Sequence, residues 1–169
     1  LTGQISSLVK AMNGGSVQSL LIIGGNPVYD APADLNFAEA LKKVKVSAHL
    51  STHFDETSRQ CTWHLPASHY LESWGDARQF DGTLCIQQPL ILPIYNEANG
   101  KSATRSGIEL LALVAGLEKG EGLDLVRSTH KVSEKAWRSV LHDGFAKGTA
   151  AKNVSVTTPT ASAKLSKAI

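Results

Sequence analysis

The sequence predicts an α/β protein, a three-layer domain with a mainly parallel sheet that is Rossmann-like in plan. Three observations carry this. A continuous aliphatic run at residues 20–23, Leu-Leu-Ile-Ile, has the composition of a strand covered on both faces, as strands of parallel sheets are. A glycine-rich break follows it, and a helical period then leads to a second apolar run, giving a strand–helix–strand unit long enough for a right-handed parallel crossover. Helical periods return later in the chain, at residues 106–117 and after Ser133.

Each element follows from local chemistry. Ile5, Leu8, Val9 and Met12 fall at i, i+3, i+4 and i+7, an apolar stripe closed by Gly14 and Gly15, so the chain opens with an amphipathic helix. The strand at residues 20–23 is broken by Gly24-Gly25-Asn26-Pro27, because glycine permits a tight turn and Pro27 drives Asn26 extended. A helix capped by Asp30 or Asp34 then buries Phe37, Leu41 and Val44, and its basic end at Lys42, Lys43 and Lys45 suits the helix dipole. Residues 44–50 form a second strand and residues 62–65 a third, ended at Pro66. The stretch from there to Gly82, with Trp74-Gly75-Asp76 and Asp81-Gly82, is expected as a long functional or interfacial loop. Residues 83–87 read as a short strand, after which Pro89 and Pro93 keep the chain extended. The helix at residues 106–117 is apolar almost all round and is expected to be deeply buried. Ser133 caps a last helix that turns Trp137, Val140 and Leu141 to the core, with Gly144 at its left-handed stop. Residues 1–148 thus read as one α/β domain, and residues 149–169, rich in Ala, Ser, Thr and Lys, as a linker or the start of a further domain.

Composition narrows the function. With 169 residues and 42% apolar content the chain supports one core of ordinary size. Seventeen Lys and Arg nearly balance fifteen Asp and Glu, and they are scattered, which argues against a nucleic-acid partner. Cys61 and Cys85 form no CxxC pair, so neither an iron–sulfur cluster nor a structural zinc is held by cysteines alone; their spacing allows a disulfide without requiring one. No apolar run approaches the roughly 20 residues of a membrane span, and the first residues lack a signal-peptide pattern. Direct membrane insertion of this piece is therefore not expected; because it begins at Leu1 inside helical patterning, it reads as cut from a longer polypeptide, and the missing signal says little about location.

In open parallel sheets, ligands bind beyond the carboxyl ends of strands. Gly24 to Asp30 occupies one such end, where two glycines clear space for a phosphate and Asn26 offers a donor and an acceptor. Ser51, Thr52 and His53, followed by Phe54-Asp55-Glu56-Thr57, occupy the next. The candidate binding residues are therefore Gly24, Gly25, Asn26, Ser51, Asp55 and Thr57. The loop is neither a GxGxxG fingerprint nor a GK[ST] phosphate loop, and the plain alternative is that these residues only turn and cap the chain. His49, His53, Cys61, His64 and His69 are suited to zinc, but strand parity opposes convergence of four ligands. Glu72, Asp76 and Asp81 fit a structured loop as well as a carboxylate hydrolase, and Ser68, His69 and Asp76 lack a nucleophile elbow. Trp63, Trp74 and Trp137 read as core or interface anchors.

The segment LLIIGGNP at residues 20–27 resembles the glycine, asparagine and proline segment of the molybdopterin oxidoreductases of the dimethyl sulfoxide reductase superfamily. FDETS at residues 54–58, HLP at 64–66 and then Glu72 are similar to that family's threonine-bearing loop, its strand ending in Leu-Pro and its downstream acidic residue. The resemblance spans roughly residues 16–117. LPASHYLESWGDA at residues 65–77 and WRSVLHDG at residues 137–144 look most like the molybdopterin-like iron–sulfur subunit of bacterial alternative complex III. The resemblance implies a domain of the formate dehydrogenase/DMSO reductase type. In active members it holds half of a molybdopterin guanine dinucleotide cofactor, while iron–sulfur clusters and the metal ligand lie in other domains. It also implies partners: other domains of the same polypeptide and subunits of a quinol-oxidising respiratory complex at the periplasmic face of the membrane. The chain departs from active members where Ser51 replaces a guanine-binding aspartate and Asp55 an early threonine. These changes remove an acceptor for guanine and add negative charge near a pyrophosphate, which favours a scaffold without the cofactor over a working cofactor-binding domain.

Overall fold

The computed structural model describes residues 2–96, 102–118 and 120–155. Helix α1 (Thr2–Asn13) leads into strand β1 (Ser19–Ile23). A single turn α2 (Pro27–Asp30), a 3-10 turn (Ala33–Leu35) and α3 (Phe37–Leu41) cross to β2 (Val46–Ser51). Helix α4 (Glu56–Gln60) then crosses to β3 (Trp63–Pro66). The three strands are parallel in the order β1-β2-β3, with Ile22 beside His49 and His49 beside His64. Two further strands, β4 (Gly75–Arg78) and β5 (Leu84–Gln87), pair antiparallel as a separate hairpin. Helices α5 (Gly107–Val114), α6 (Gly122–Thr129) and α7 (Glu134–Asp143) complete a mixed α/β chain.

Two cores form, one from each half. Val9 and Met12 of α1 meet Phe37, Ala40, Leu41 and Val44, and Leu20 and Ile22 of β1 pack against them from the sheet. The second core joins Leu84 and Ile86 of β5 to Val126 of α6 and to Trp137 and Val140 of α7. Residues 104–106 tie the halves together: the Arg105 amide donates to the Pro66 carbonyl at 3.1 Å, and the Ser68 amide to the Arg105 carbonyl at 2.9 Å. This extends the parallel ladder one step beyond β3. Ser106 then opens α5 with a capping box, in which its side chain accepts the Glu109 amide and Glu109 accepts the Ser106 amide.

Several expectations change. Strand β1 is not covered on both faces: the helices seal the side bearing Leu20 and Ile22, while Ile23 stays exposed on the other. Neither Asp30 nor Asp34 caps α3; Asp30 ends the turn that Pro27 begins, Asp34 lies in the 3-10 turn, and Asn36, left-handed at φ 46°, precedes the helix. The long loop before Gly82 contains β4, whose Gly-Asp-Ala-Arg carries no apolar alternation and is a strand through pairing with β5. Helix α5 buries Leu110 and Ala112, but Leu111, Leu113 and Val114 face outward, with Leu113 73% exposed. Helix α6 was not foreseen. The last helix is as expected: the Ser133 hydroxyl accepts the Ala136 amide, and Gly144 at φ 79° closes it. Of the expected linker, residues 149–155 carry no regular element and residues 156–169 lie outside the described part.

Candidate functional site

The sheet's carboxyl edge gathers the loops after β1 and β2. Gly24 and Gly25, at φ 63° and 66°, turn the chain where side chains would be strained, and nothing lies within 4 Å of where a Cβ would stand on either. The Gly24 amide donates to the Leu50 carbonyl at 2.8 Å, which pins the turn to the end of β2.

Asn26 joins the two loops. Its Oδ1 accepts the Thr57 hydroxyl at 2.7 Å and the Thr57 amide at 3.2 Å, and its Nδ2 donates to Glu56 Oε2 at 2.7 Å. Thr57, fully buried, returns the link by accepting the Val28 amide on Oγ1 at 3.0 Å. Asp55 caps α4 by accepting the Ser58 amide on Oδ1 at 2.9 Å, and its Oδ2 accepts the Ser51 hydroxyl at 3.3 Å. All six candidate residues thus meet on one rim, and Asn26, Ser51, Asp55 and Thr57 bond one another, Glu56 and the loop backbone.

Both rim carboxylates are acidic. Burial raises the Asp55 pKa, but the Ser58 amide, the nearby His49 and the Ser58 and Ser51 hydroxyls outweigh it and hold the group below its ordinary range. The Asn26 side-chain amide does the same for Glu56, which is fully exposed. Two negative charges therefore stand on the rim at neutral pH. A pyrophosphate would meet this charge, and Asp55, the carboxylate beside Ser51, already accepts the Ser58 amide and the Ser51 hydroxyl, so the rim opposes a guanine dinucleotide.

Beneath the rim lies a hub that sequence reasoning did not find. Ser58, 2% exposed, sits between two imidazoles, with its Oγ 2.8 Å from His49 Nδ1 and 2.9 Å from His64 Nδ1. His49 is 0% exposed, and its Nε2 lies 3.0 Å from the Gly25 carbonyl. A carbonyl only accepts, so Nε2 carries the proton. His49 thus donates to the diglycine turn from Nε2, while its Nδ1 and that of His64 converge on the Ser58 hydroxyl, and His49 Nδ1 also lies 3.4 Å from Asp55 Oδ1. Phe54 packs edge-on against His64, ring centres 5.3 Å apart. The signal was the β2–β3 register, which sets His49 and His64 side by side on the face that α4 covers.

The remaining candidates disperse. His53 bonds Thr52, His69 stacks on Tyr70, and burial raises the Cys61 thiol pKa. Among the described residues no group of three or more His, Cys, Asp or Glu is placed to share a metal. Ser68 bonds Thr104, while Asp76 pairs with His130. Trp137 is core, Trp74 is half-buried against α6, and Trp63 is 62% exposed. Away from the rim, a hollow of about 960 Å³ lies between residues 89–93 and helices α5 and α6. Three of its polar side chains serve the backbone: Glu109 holds the Gly122 amide, Glu72 the Ile94 amide, and Arg105 the Ser102 and Thr104 carbonyls.

Fold and site together define a class: an α/β chain whose parallel strand-end loops are locked to each other through side chains. Compared with known protein families and with curated proteins, the chain matches none. No helix among the described residues is long and apolar enough to cross a membrane.

Proposed function

We propose that this chain is a cofactor-free scaffold domain of a molybdopterin oxidoreductase-like respiratory protein, with the Rossmann-like three-layer plan of the formate dehydrogenase/DMSO reductase type. It would serve a quinol-oxidising electron-transfer complex at the periplasmic face, its exposed apolar surfaces docking other domains and subunits. One observation carries the reading: the side chains that would have to face a guanine dinucleotide bond each other instead, beneath two ionised carboxylates. A crevice closed by its own hydrogen bonds positions loops rather than a ligand.

The open diglycine turn favours a second reading, a working molybdopterin guanine dinucleotide-binding domain, because bare backbone lets a phosphate approach. Metal analysis of the purified complete protein separates the two. The scaffold reading expects neither molybdenum nor tungsten, and no change in stability on titration with GDP. Either metal at one per polypeptide refutes it.

A further inference from the structure

The hollow between residues 89–93 and helices α5 and α6 combines exposed leucines with unpaired acids. Leu90, Leu92 and Leu113 line it and are 77%, 86% and 73% exposed. Large apolar side chains gathered in water in this way mark a surface that something covers. The lining also takes in Glu118, Glu121 and Asp124. They come from Glu-Lys-Gly-Glu-Gly-Leu-Asp at residues 118–124, where three acids outnumber one lysine. All three are exposed, and none makes an ion pair or a side-chain hydrogen bond among the described residues; Glu121 stands at the N-cap of α6 without bonding it. The other charges of the lining, Glu72, Glu109 and Arg105, are already held to backbone groups. What complements this surface is an apolar stripe with cations along one flank.

One segment of this chain has that chemistry. Residues 156–169 contain Lys164 and Lys167 and no acid. After Pro159, Ala161, Leu165, Ala168 and Ile169 fall at i, i+4, i+7 and i+8, the spacing of one helix face, and both lysines fall on the same flank of it. So short a stripe does not hold a helix in water alone and needs a surface to lie on. The tether also reaches. After α7 the chain runs back along β5, where the Ala146 amide bonds the Leu84 carbonyl and the Leu84 amide bonds Thr149, and it meets the hairpin turn where the Ala151 amide donates to the Asp81 carbonyl. Trp74, at the near end of the hollow, is at most about 23 Å from Asp81, at about 3.3 Å per residue along β4 and its turn. The chain from Ala151 to Ala161 spans up to about 33 Å when extended. We propose that residues 160–169 dock in this hollow as a short helix, with Leu165 and Ile169 set on Leu90, Leu92 and Leu113, and with Lys164 and Lys167 facing Glu118, Glu121 and Asp124.

The test is maleimide labelling of Leu113→Cys in the full chain and in the chain ended after Ser155, read at that residue by peptide mapping so that Cys61 and Cys85 do not interfere. The full chain is expected to label at least about tenfold more slowly, and equal rates overturn the proposal. A short tether supplies an effective concentration of about 1 mM, so the synthetic peptide of residues 156–169 at about that concentration should slow the shortened chain again; no slowing counts against docking. In the full chain, the combined Glu118→Lys, Glu121→Lys and Asp124→Lys variant keeps the segment and should restore fast labelling. Labelling as slow as before overturns the charge pairing. Slow labelling that is lost on about hundredfold dilution also overturns the proposal, because the occupant would then belong to a second copy. Neither molybdenum content nor GDP enters these readouts, so the scaffold reading and this one fail separately.

Discussion

Replacing Thr57 by valine tests whether the rim is a structural lock. The swap keeps shape and removes only the hydroxyl, which donates to Asn26 at 2.7 Å and accepts the Val28 amide at 3.0 Å. Losing the first bond costs about 1 kcal/mol net, and Asn26 Oδ1 keeps the Thr57 amide. Losing the second leaves a part-buried backbone N–H without its acceptor, worth about 1–2 kcal/mol. The sum is roughly 2–3 kcal/mol, read as a lower midpoint of the transition that melts the first core. Thr57→Ser keeps both bonds and loses one methyl, so it should cost only about 1 kcal/mol. The assay is urea denaturation, read on the transition that melts the first core. If Thr57→Val and Thr57→Ser agree within about 0.5 kcal/mol, the hydroxyl carries no load and the lock is wrong.

Other consequences can be checked together. Asp55 has a folded pKa below its ordinary 3.8, so its stabilisation is present in full above that value and is lost as pH falls through the lower folded pKa. A Tm series from pH 2.5 to 7 should flatten at its acidic end in Asp55→Asn; an unchanged acid limb contradicts this. Gly144→Ala forces a side chain to φ 79° and should cost about 1–2 kcal/mol, read as a lower Tm, whereas an unchanged Tm would mean the α7 stop relaxes freely. Ser106→Ala breaks the capping box of α5 and should cost about 1 kcal/mol by chemical denaturation; no loss would show that Glu109 alone holds the helix start.

Much of the first half was legible in sequence because its signals are local. The aliphatic run, the glycine break and the helical period at Phe37, Leu41 and Val44 each act within a few residues, and together they place both loops on one rim. Ser133 and Gly144 likewise announce α7 by cap chemistry alone. What escaped depends on partners distant in the chain. Strand β4 is a strand because β5 lies beside it, and α5 looked buried because its composition is apolar, although exposure is set by what packs around it. Helix α6 begins at Gly122 behind an N-cap, Glu121, that makes no side-chain cap bond, so nothing local marked its start. Asn36, not either nearby aspartate, stands at the N-cap position of α3, and its side chain makes no cap bond. At the site, the crowd of histidines was weighed for zinc and set aside on strand parity, a reading that did not see the register placing His49 beside His64 with both rings on one serine.

The two cores share no residue, and the first is complete by β3. The segment at 104–106, bonded to Pro66 and Ser68, is what joins the second half to this first core. Cooperativity is then divided: heat or a nick in the C-terminal half would melt that half while the diglycine turn and its serine–histidine hub stay folded.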